Sequence, residues 1–333
     1  MSNKVKKFLI VRFSSIGDIV LTSPVVRSLY HAFPGCEIHF FTKAAYEPLV
    51  THSPYIHKVH LLGDKLTENL TELRKEQYDH ILDLHHNLRS LRVKLALHRP
   101  SSSFDKQNLS KYRLTQFKDL PTPISHVVER YGGTLKSLGA SLDEEGLELF
   151  LPNGIEEAAQ VVLSASQITS EQQPLAVVLG AKFATKRWPR EYFADLLNDL
   201  GRPAVLIGGK DAAEEAAFLM RKVKSPLVNT VGKYPLLTSA AIMKQCNSVL
   251  THDTGFMHIA AAFRMKIFSI WGNTVPELGM TPYKTEHYLI ERQGLTCRPC
   301  SKIGYAKCPQ GHFQCMVDIL PEEIRELMEE VGY

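Results

Sequence analysis

The chain has 333 residues, 44% of them apolar and 22% charged, with a formal charge of +4 at neutral pH. That length suits about two domains of ordinary size with a substantial core. The small positive excess excludes a globally polybasic protein, and no apolar stretch approaches the ~18 residues of a membrane span. The apolar run at residues 8–11 stops at Arg12, too short for the core of a signal peptide. The sequence therefore reads as a soluble cytoplasmic protein.

Taken in order, the first half alternates strand-like and helix-like pieces. "KKFLIVRF" reads as a buried strand, and "SPVVRSLYHAFPG" as a helix with Ser23 as N-cap, Pro24 at its first position and Gly35 past its end. "CEIHFFTK", "HKVHLL" and "YDHILDLH" read as strands, and "SHVVERYGGTLKSLG" as a helix closed by Gly139. The pattern pauses near residues 147–152 and restarts. "LAVVLGA", "AVLIGG", "SVLTHD" and "KIFSIWG" are strands there, interleaved with helices at "GIEEAAQVVLSAS", "REYFADLLNDLG", "AAEEAAFLMRKV", "LTSAAIMKQC" and "GFMHIAAAF". Alternating β and α pieces predict parallel sheets with helices on both faces. We place two doubly wound halves at 1–154 and 155–333. Ligands of such sheets sit beyond the carboxyl ends of the strands, so the strand-end loops are where chemistry is sought.

Three loops stand out. In "SSIGDIV", Asp18 follows Gly17 at a strand-to-helix turn, as a helix cap or as a general base for an attacking hydroxyl. In "LGAKFATKRWPREYF", Lys182, Thr185, Lys186 and Arg187 gather just before a helix start, where backbone amides and the helix dipole favour an anion. In "THDTGFMHIAAAF", Asp253, Thr254 and Gly255 lead into a helix that carries His258 on its first turn. Two anion-suited helix starts in one half suggest a single diphosphate. No GxxxxGK[ST] loop occurs and no GxGxxG follows a strand, so neither a P-loop nor a dinucleotide fingerprint is present.

At these loops the sequence resembles glycosyltransferase family 9, the bacterial ADP-heptose:lipopolysaccharide heptosyltransferases. The resemblance runs nearly end to end and rests on "RFSSIGDIVLTSP", "YDHILDLHHNLRS", "HVVERY", "KRWP", "VLIGGKDAAEE", "HDTGFMHIAAA" and "CRPCSKIGYAKCPQGHFQCM". It implies a GT-B fold, two Rossmann-like domains facing across a cleft, with the acceptor mainly on 1–154 and the nucleotide-sugar mainly on 155–333. It puts the catalytic base on Asp18, the diphosphate-binding lysine on Lys186 beside Thr185, and donor contacts on Asp253, Thr254, Gly255 and His258. A further donor-contacting acidic position is ill-defined, with Lys210 or Asp211 nearest. The activity implied is inverting transfer of heptose from ADP-heptose to Kdo-lipid A or a heptosylated core, with no cofactor or metal required, at the inner face of the inner membrane. A GT-B transferase of another nucleotide-sugar and a non-catalytic sugar-nucleotide or lipid-binding module are the alternatives; a base on the half opposite the phosphate loops argues against the second.

Residues 86–118 hold eight Lys or Arg against one acidic residue. A solvated helix face is the ordinary reading of such a run, yet it would also attract a phosphorylated lipid, and Arg89, Arg92, Lys111 and Arg113 are the candidate acceptor contacts. Nucleic acid is not expected, since no nucleic-acid module is recognisable. Four of the six cysteines, Cys297, Cys300, Cys308 and Cys315, fall within nineteen residues. Free thiols are the first reading and structural zinc the second, because only the first spacing suits a metal. The last helix, "LPEEIRELMEEVGY", is expected to cross back to the first domain. The sequence leaves the oligomeric state open.

Overall fold

A computed structural model describes residues 6–333; the extreme N-terminus, residues 1–5, read above as no part of a leader, lies outside them. The chain divides into two compact units. The first comprises the residues up to 107 together with Ser125–Pro152, and the second comprises Asn108–Ile124 and Asn153–Tyr333. The single division expected at 154/155 therefore misses an excursion at 108–124 that packs with the second unit.

The first unit runs β1 (Lys7–Val11), α1 (Ile16–Val20), α2 (Ser23–Ala32), β2 (Glu37–Thr42), α3 (Pro48–Thr51), β3 (Lys58–Leu61), α4 (Leu66–Lys75), β4 (His80–Asp83), α5 (Leu88–Leu97) and β5 (Ser101–Ser103). After the excursion, which holds α6 (Asn108–Phe117), it closes with α7 (Val127–Gly132). Its five strands are all parallel, in the order β3-β2-β1-β4-β5. The central strand β1 is buried along Phe8, Leu9, Ile10 and Val11, as the unbroken apolar run required of a strand covered on both faces. The N-cap of α2 is Thr22, not Ser23; the Ser23 hydroxyl donates to the Val20 carbonyl at 2.8 Å instead. The helix expected through Gly139 is α-helical only to Gly132 and continues as a 3₁₀ turn to Leu138, with Gly139 left-handed at φ 73°.

The second unit contains α8 (Ile155–Ser164), β6 (Leu175–Val178), α9 (Arg190–Leu200), β7 (Ala204–Ile207), α10 (Ala213–Lys222), β8 (Leu227–Asn229), α11 (Leu236–Lys244), β9 (Ser248–His252), α12 (Gly255–Ala262), β10 (Lys266–Trp271), β11 (His287–Glu291), α13 (Gln314–Val317) and α14 (Pro321–Glu330). Its six parallel strands are ordered β11-β10-β9-β6-β7-β8. The last helix, α14, packs on α9 and buries Ile324 and Met328 in the core of the second unit.

In both sheets the strand order reverses once, between β1 and β4 and between β6 and β9. These are the topological switch points, where the connections leave on opposite faces and open a crevice at the carboxyl edge.

The cysteine segment is a clamp on the second sheet. Arg298, whose side chain is 6% exposed, donates to the carbonyls of Gly272, Trp271, Thr274 and Arg292 and pairs with Glu291 at 2.6 Å. The Cys300 amide donates to the Asn273 carbonyl. All six cysteines are free. Cys297 Sγ lies 3.7 Å from His312 Nε2, and burial pushes the Cys315 thiol up to about 12. Among the described residues, one group alone brings three metal-ligand atoms within 4.8 Å of one another: His39, His60 and Glu76 in the first unit, not the cysteines. There the carboxylate is held by Lys7 at 3.1 Å and Lys58 at 2.5 Å, a cationic setting hostile to a metal ion. Both imidazoles instead meet the buried Tyr78 hydroxyl at 3.0 Å.

Two predictions follow from these buried groups. Burial lowers His39 from 6.5 to about 4 and also lowers His60, so the unfolded chain takes up those protons first as the solution is acidified. Stability is then full above about pH 6.5 and falls as pH drops toward 4, with a slope set by the extra protons on the unfolded state. The Lys58 hydrogen bond, with Lys7, lowers Glu76 from 4.5 to about 2, and that contribution is lost only below about pH 4.5. Melting curves across this range should show a loss between pH 6.5 and pH 5 that is smaller by about 1–2 kcal/mol in His39→Gln than in the parent chain. Arg298→Leu should destabilise the second unit by about 3 kcal/mol, because it strands the Glu291 carboxylate and several carbonyls; calorimetry would read this as a lowered second transition.

Candidate active site

In the first unit, Val11 and Asp83 are register partners at the carboxyl ends of β1 and β4, so the residues just beyond them line the switch point. Asp18 stands there on α1. Its Oδ1 is 2.7 Å from an Arg12 Nη2, and its Oδ2 accepts from the Ser15 hydroxyl at 2.8 Å and the Ser15 amide at 3.2 Å. The capping reading of Asp18 is the one these contacts show. The carboxylate caps the turn through Ser15, and it remains 24% exposed, within reach of a ligand. Arg12 is fixed in turn by donating to the Ser14 carbonyl at 2.7 Å and the Leu84 carbonyl at 2.5 Å, and it lies over the Tyr131 ring at 5.6 Å. Burial raises the Tyr131 phenol, which keeps it neutral beside this ion pair.

Sequence reasoning passed over the β4 end. Asp83 is fully buried and accepts from the amides of His85 and His86, from the Ser90 hydroxyl, and from Lys94 at 3.1 Å. One carboxylate therefore anchors both the loop and α5, whose start is also boxed by Asn87 and Ser90. His85 packs its edge on Phe13. Burial, and then Arg12, lowers it to about 4, so it is neutral at physiological pH, and its Nδ1 is buried without a hydrogen-bond partner. The signal was present in the consecutive histidines after a strand, but their type alone does not separate a core ring from a site ring.

Arg89, with its guanidinium 5.8 Å from the Phe13 ring, and Arg92 line an open groove of about 710 Å³. Asp64, Lys65, Thr67 and Asn87 complete its polar lining, at the carboxyl ends of β3 and β4. The other two acceptor candidates are placed differently. Lys111 and Arg113 sit on α6, within the second unit, and Arg113 is paired with Asp119.

In the second unit, Lys186 and Asp253 come from the two loops that flank the β6/β9 switch point. Lys186 Nζ meets Asp253 Oδ2 at 2.5 Å and the Asp253 carbonyl at 3.3 Å, and the Thr274 hydroxyl holds the same carboxylate oxygen at 2.9 Å. The lysine loop is pinned on both sides. Before Lys186, the Thr185 amide and hydroxyl both bond the Tyr305 carbonyl, and the Tyr305 amide returns a bond at 2.8 Å. Gly272 admits this loop, since a Cβ there would sit 2.6 Å from the Thr185 carbonyl oxygen. After Lys186, the Trp188 amide donates to Nε2 of buried His252 and its indole donates to the Ile319 carbonyl. Burial lowers His252 to about 4, leaving a neutral ring that can accept.

Thr185, expected among the donor contacts, is 2% exposed with its hydroxyl committed to Tyr305 and Asn273. It positions Lys186. His258 is likewise buried within α12. Thr254 is the N-cap of α12 and Gly255 its first residue, both half-buried, so the first-turn amides, which lack helical acceptors, open beside Lys186 and Asp253. Asp211 faces Arg187 at 3.3 Å, and Arg187 also pairs with Glu215.

Comparison with known proteins identifies the fold and the family. The lipooligosaccharide heptosyltransferase 2 of Haemophilus influenzae is 26% identical over 350 residues, covering 97% of this chain and 98% of that protein. A family 9 glycosyl transferase structure from Veillonella parvula superposes with a TM-score of 0.82 at 21% identity, over 99% of this chain and 98% of that one. The E. coli ADP-heptose lipopolysaccharide heptosyltransferase II gives 0.74 at 21% identity, over 98% of both chains. These likenesses show the α/β GT-B fold. Residues 68–308 match the family described as glycosyltransferase family 9 (heptosyltransferase), and the chain belongs to that family of transferases.

Proposed function

We propose that this protein transfers heptose from ADP-heptose to the inner core of lipopolysaccharide, with inversion at the anomeric carbon. The observation that carries the reading is the Lys186–Asp253 pair beside the α12 start, at the switch point of the second sheet. The second unit holds the donor in this scheme. Lys186 and the amides at Thr254 and Gly255 neutralise the diphosphate and stabilise the charge that builds on it as ADP departs. Asp253, tied to Thr274, keeps Lys186 aimed when no donor is bound, and Thr185 and His258 act from behind as positioning residues.

The first unit takes the acceptor. Asp18 removes the proton from the attacking hydroxyl, and the new glycosidic bond forms as the bond to the diphosphate breaks. Arg12 and Ser15 fix the carboxylate in the orientation this transfer needs. Arg89 and Arg92 on the groove meet acceptor phosphates or carboxylates through charge-assisted hydrogen bonds. Lys111 and Arg113 belong to the same acceptor reading only as outlying charges. Because the acceptor is a lipid, the protein works as a peripheral protein at the inner face of the inner membrane.

A donor screen that follows nucleoside-diphosphate release, with and without lipid acceptor, tests the proposal; release from ADP-heptose only when acceptor is present is the expected result. Asp18→Asn should lower turnover by about 10²–10⁴-fold while calorimetric binding of the donor is unchanged, and near-normal turnover would remove Asp18 from the base role. Lys186→Ala should weaken donor binding by at least ~1.5 kcal/mol, the scale of a hydrogen bond to a charged group, visible as a raised KM for donor and not for acceptor.

A further inference from the structure

α5 turns an unusual face to solvent. Leu88, Leu91 and Leu95 are 81%, 43% and 61% exposed. Positions i, i+3 and i+7 share one side of a helix, while Ser90, Val93 and Leu97 bury the other. Arg89 and Arg92 are exposed beside the leucines, Arg99 follows just past the helix, and residues 88–99 contain no carboxylate. The helix is not loosely held, since Asp83 fixes its first turn through Ser90 and its last through Lys94. Three leucines presented to water on an anchored helix form a contiguous apolar stripe of the kind that marks an interaction surface.

The rim identifies what covers it. Asp64 stands across the groove from Leu88, but the helix itself carries cations and no carboxylate, and an apolar stripe on such a helix complements a surface that offers hydrocarbon and phosphate together, which is an anionic lipid leaflet. We propose that α5 docks flat on an anionic membrane surface, with Leu91 and Leu95 entering the acyl boundary and the arginines at headgroup level. Leu88 and Arg89 also line the groove at the β3 and β4 ends. Docking through α5 therefore sets the mouth of that groove in the headgroup layer, where the sugars of a glycolipid stand. This last step rests on the acceptor reading above; the docking itself does not.

The test is co-sedimentation of the full-length protein with vesicles of phosphatidylethanolamine and phosphatidylglycerol, beside vesicles of phosphatidylcholine alone. Binding is expected to the anionic vesicles only and should weaken as salt is raised. The double variant Leu91→Gln/Leu95→Gln should bind roughly tenfold or more weakly, with an unchanged melting curve and unchanged heptose transfer to a water-soluble deacylated acceptor. A variant that sediments like its parent overturns the proposal, as does a parent protein that ignores anionic vesicles. A parent dimer in sedimentation velocity that the two substitutions abolish would give the face to a second copy of this chain instead, and also overturns it. Anionic-vesicle binding without any transfer from ADP-heptose leaves the docking standing and removes the acceptor reading.

Discussion

The arrangement depends on a single constraint of parallel sheets. When a doubly wound sheet grows outward from its first strand and then returns to the other side, the two connections diverge and leave a crevice at the carboxyl edge. Here that happens between β1 and β4 and again between β6 and β9. The strands beneath are buried on both faces, so they carry mostly apolar side chains, and a buried charge such as Asp83 is held by several donors. Polar groups that must meet a ligand are confined to the loops above. Asp18 and His85 rise from the first crevice, and Lys186 and Asp253 from the second.

Each crevice holds an opposite-charge pair at its edge, Arg12 with Asp18 and Lys186 with Asp253. Such half-buried pairs contribute little net stability, because desolvation offsets most of the Coulomb gain. What they supply is direction. Arg12 is tied to two carbonyls before it reaches Asp18, and the backbone beside Lys186 is tied to Tyr305 and His252. A charge held in this way loses little freedom when a ligand replaces its partner. Preorganised charge of this kind lowers the cost of reorganisation during reaction, which is what the proposed transfer asks of both pairs.

Much of this was legible in the sequence because local chemistry set it. The apolar runs of β1, β6 and β9, Pro24 at the start of α2 and the D-T-G entry into α12 each carry their own signal. The lost parts are those that distant residues decide. Thr185 looks like a phosphate contact beside Lys186, but Tyr305, 120 residues on, takes its hydroxyl. The apolar stripe of α14 was plain, yet nothing in it named α9 as its partner. α5 escaped notice as a helix because its leucines lie on both faces, which blurs the period that marks an amphipathic helix. Ser23 and Thr22 compete for one cap, and the hydroxyl that turns back to Val20 loses.

The cysteine segment shows how a chemical motif can serve geometry. Whatever its thiols hold, the backbone and the other side chains of this segment make contacts that position the second sheet. Arg298 gathers the carbonyls at the end of β10, Cys300 bonds Asn273, and Tyr305 holds Thr185. Cys315 and Met316 sink into the core of the second unit, and the Cys315 thiol, driven up to about 12 by burial, is protonated and unreactive there. The contacts of Arg298, Cys300 and Tyr305 end at the strand edge or the loop that presents Lys186. The segment therefore acts from behind on the lysine proposed to meet the diphosphate: loosening it would let the Thr185 turn shift, and Lys186 would lose its aim while every candidate donor-contacting residue stayed in place in the sequence.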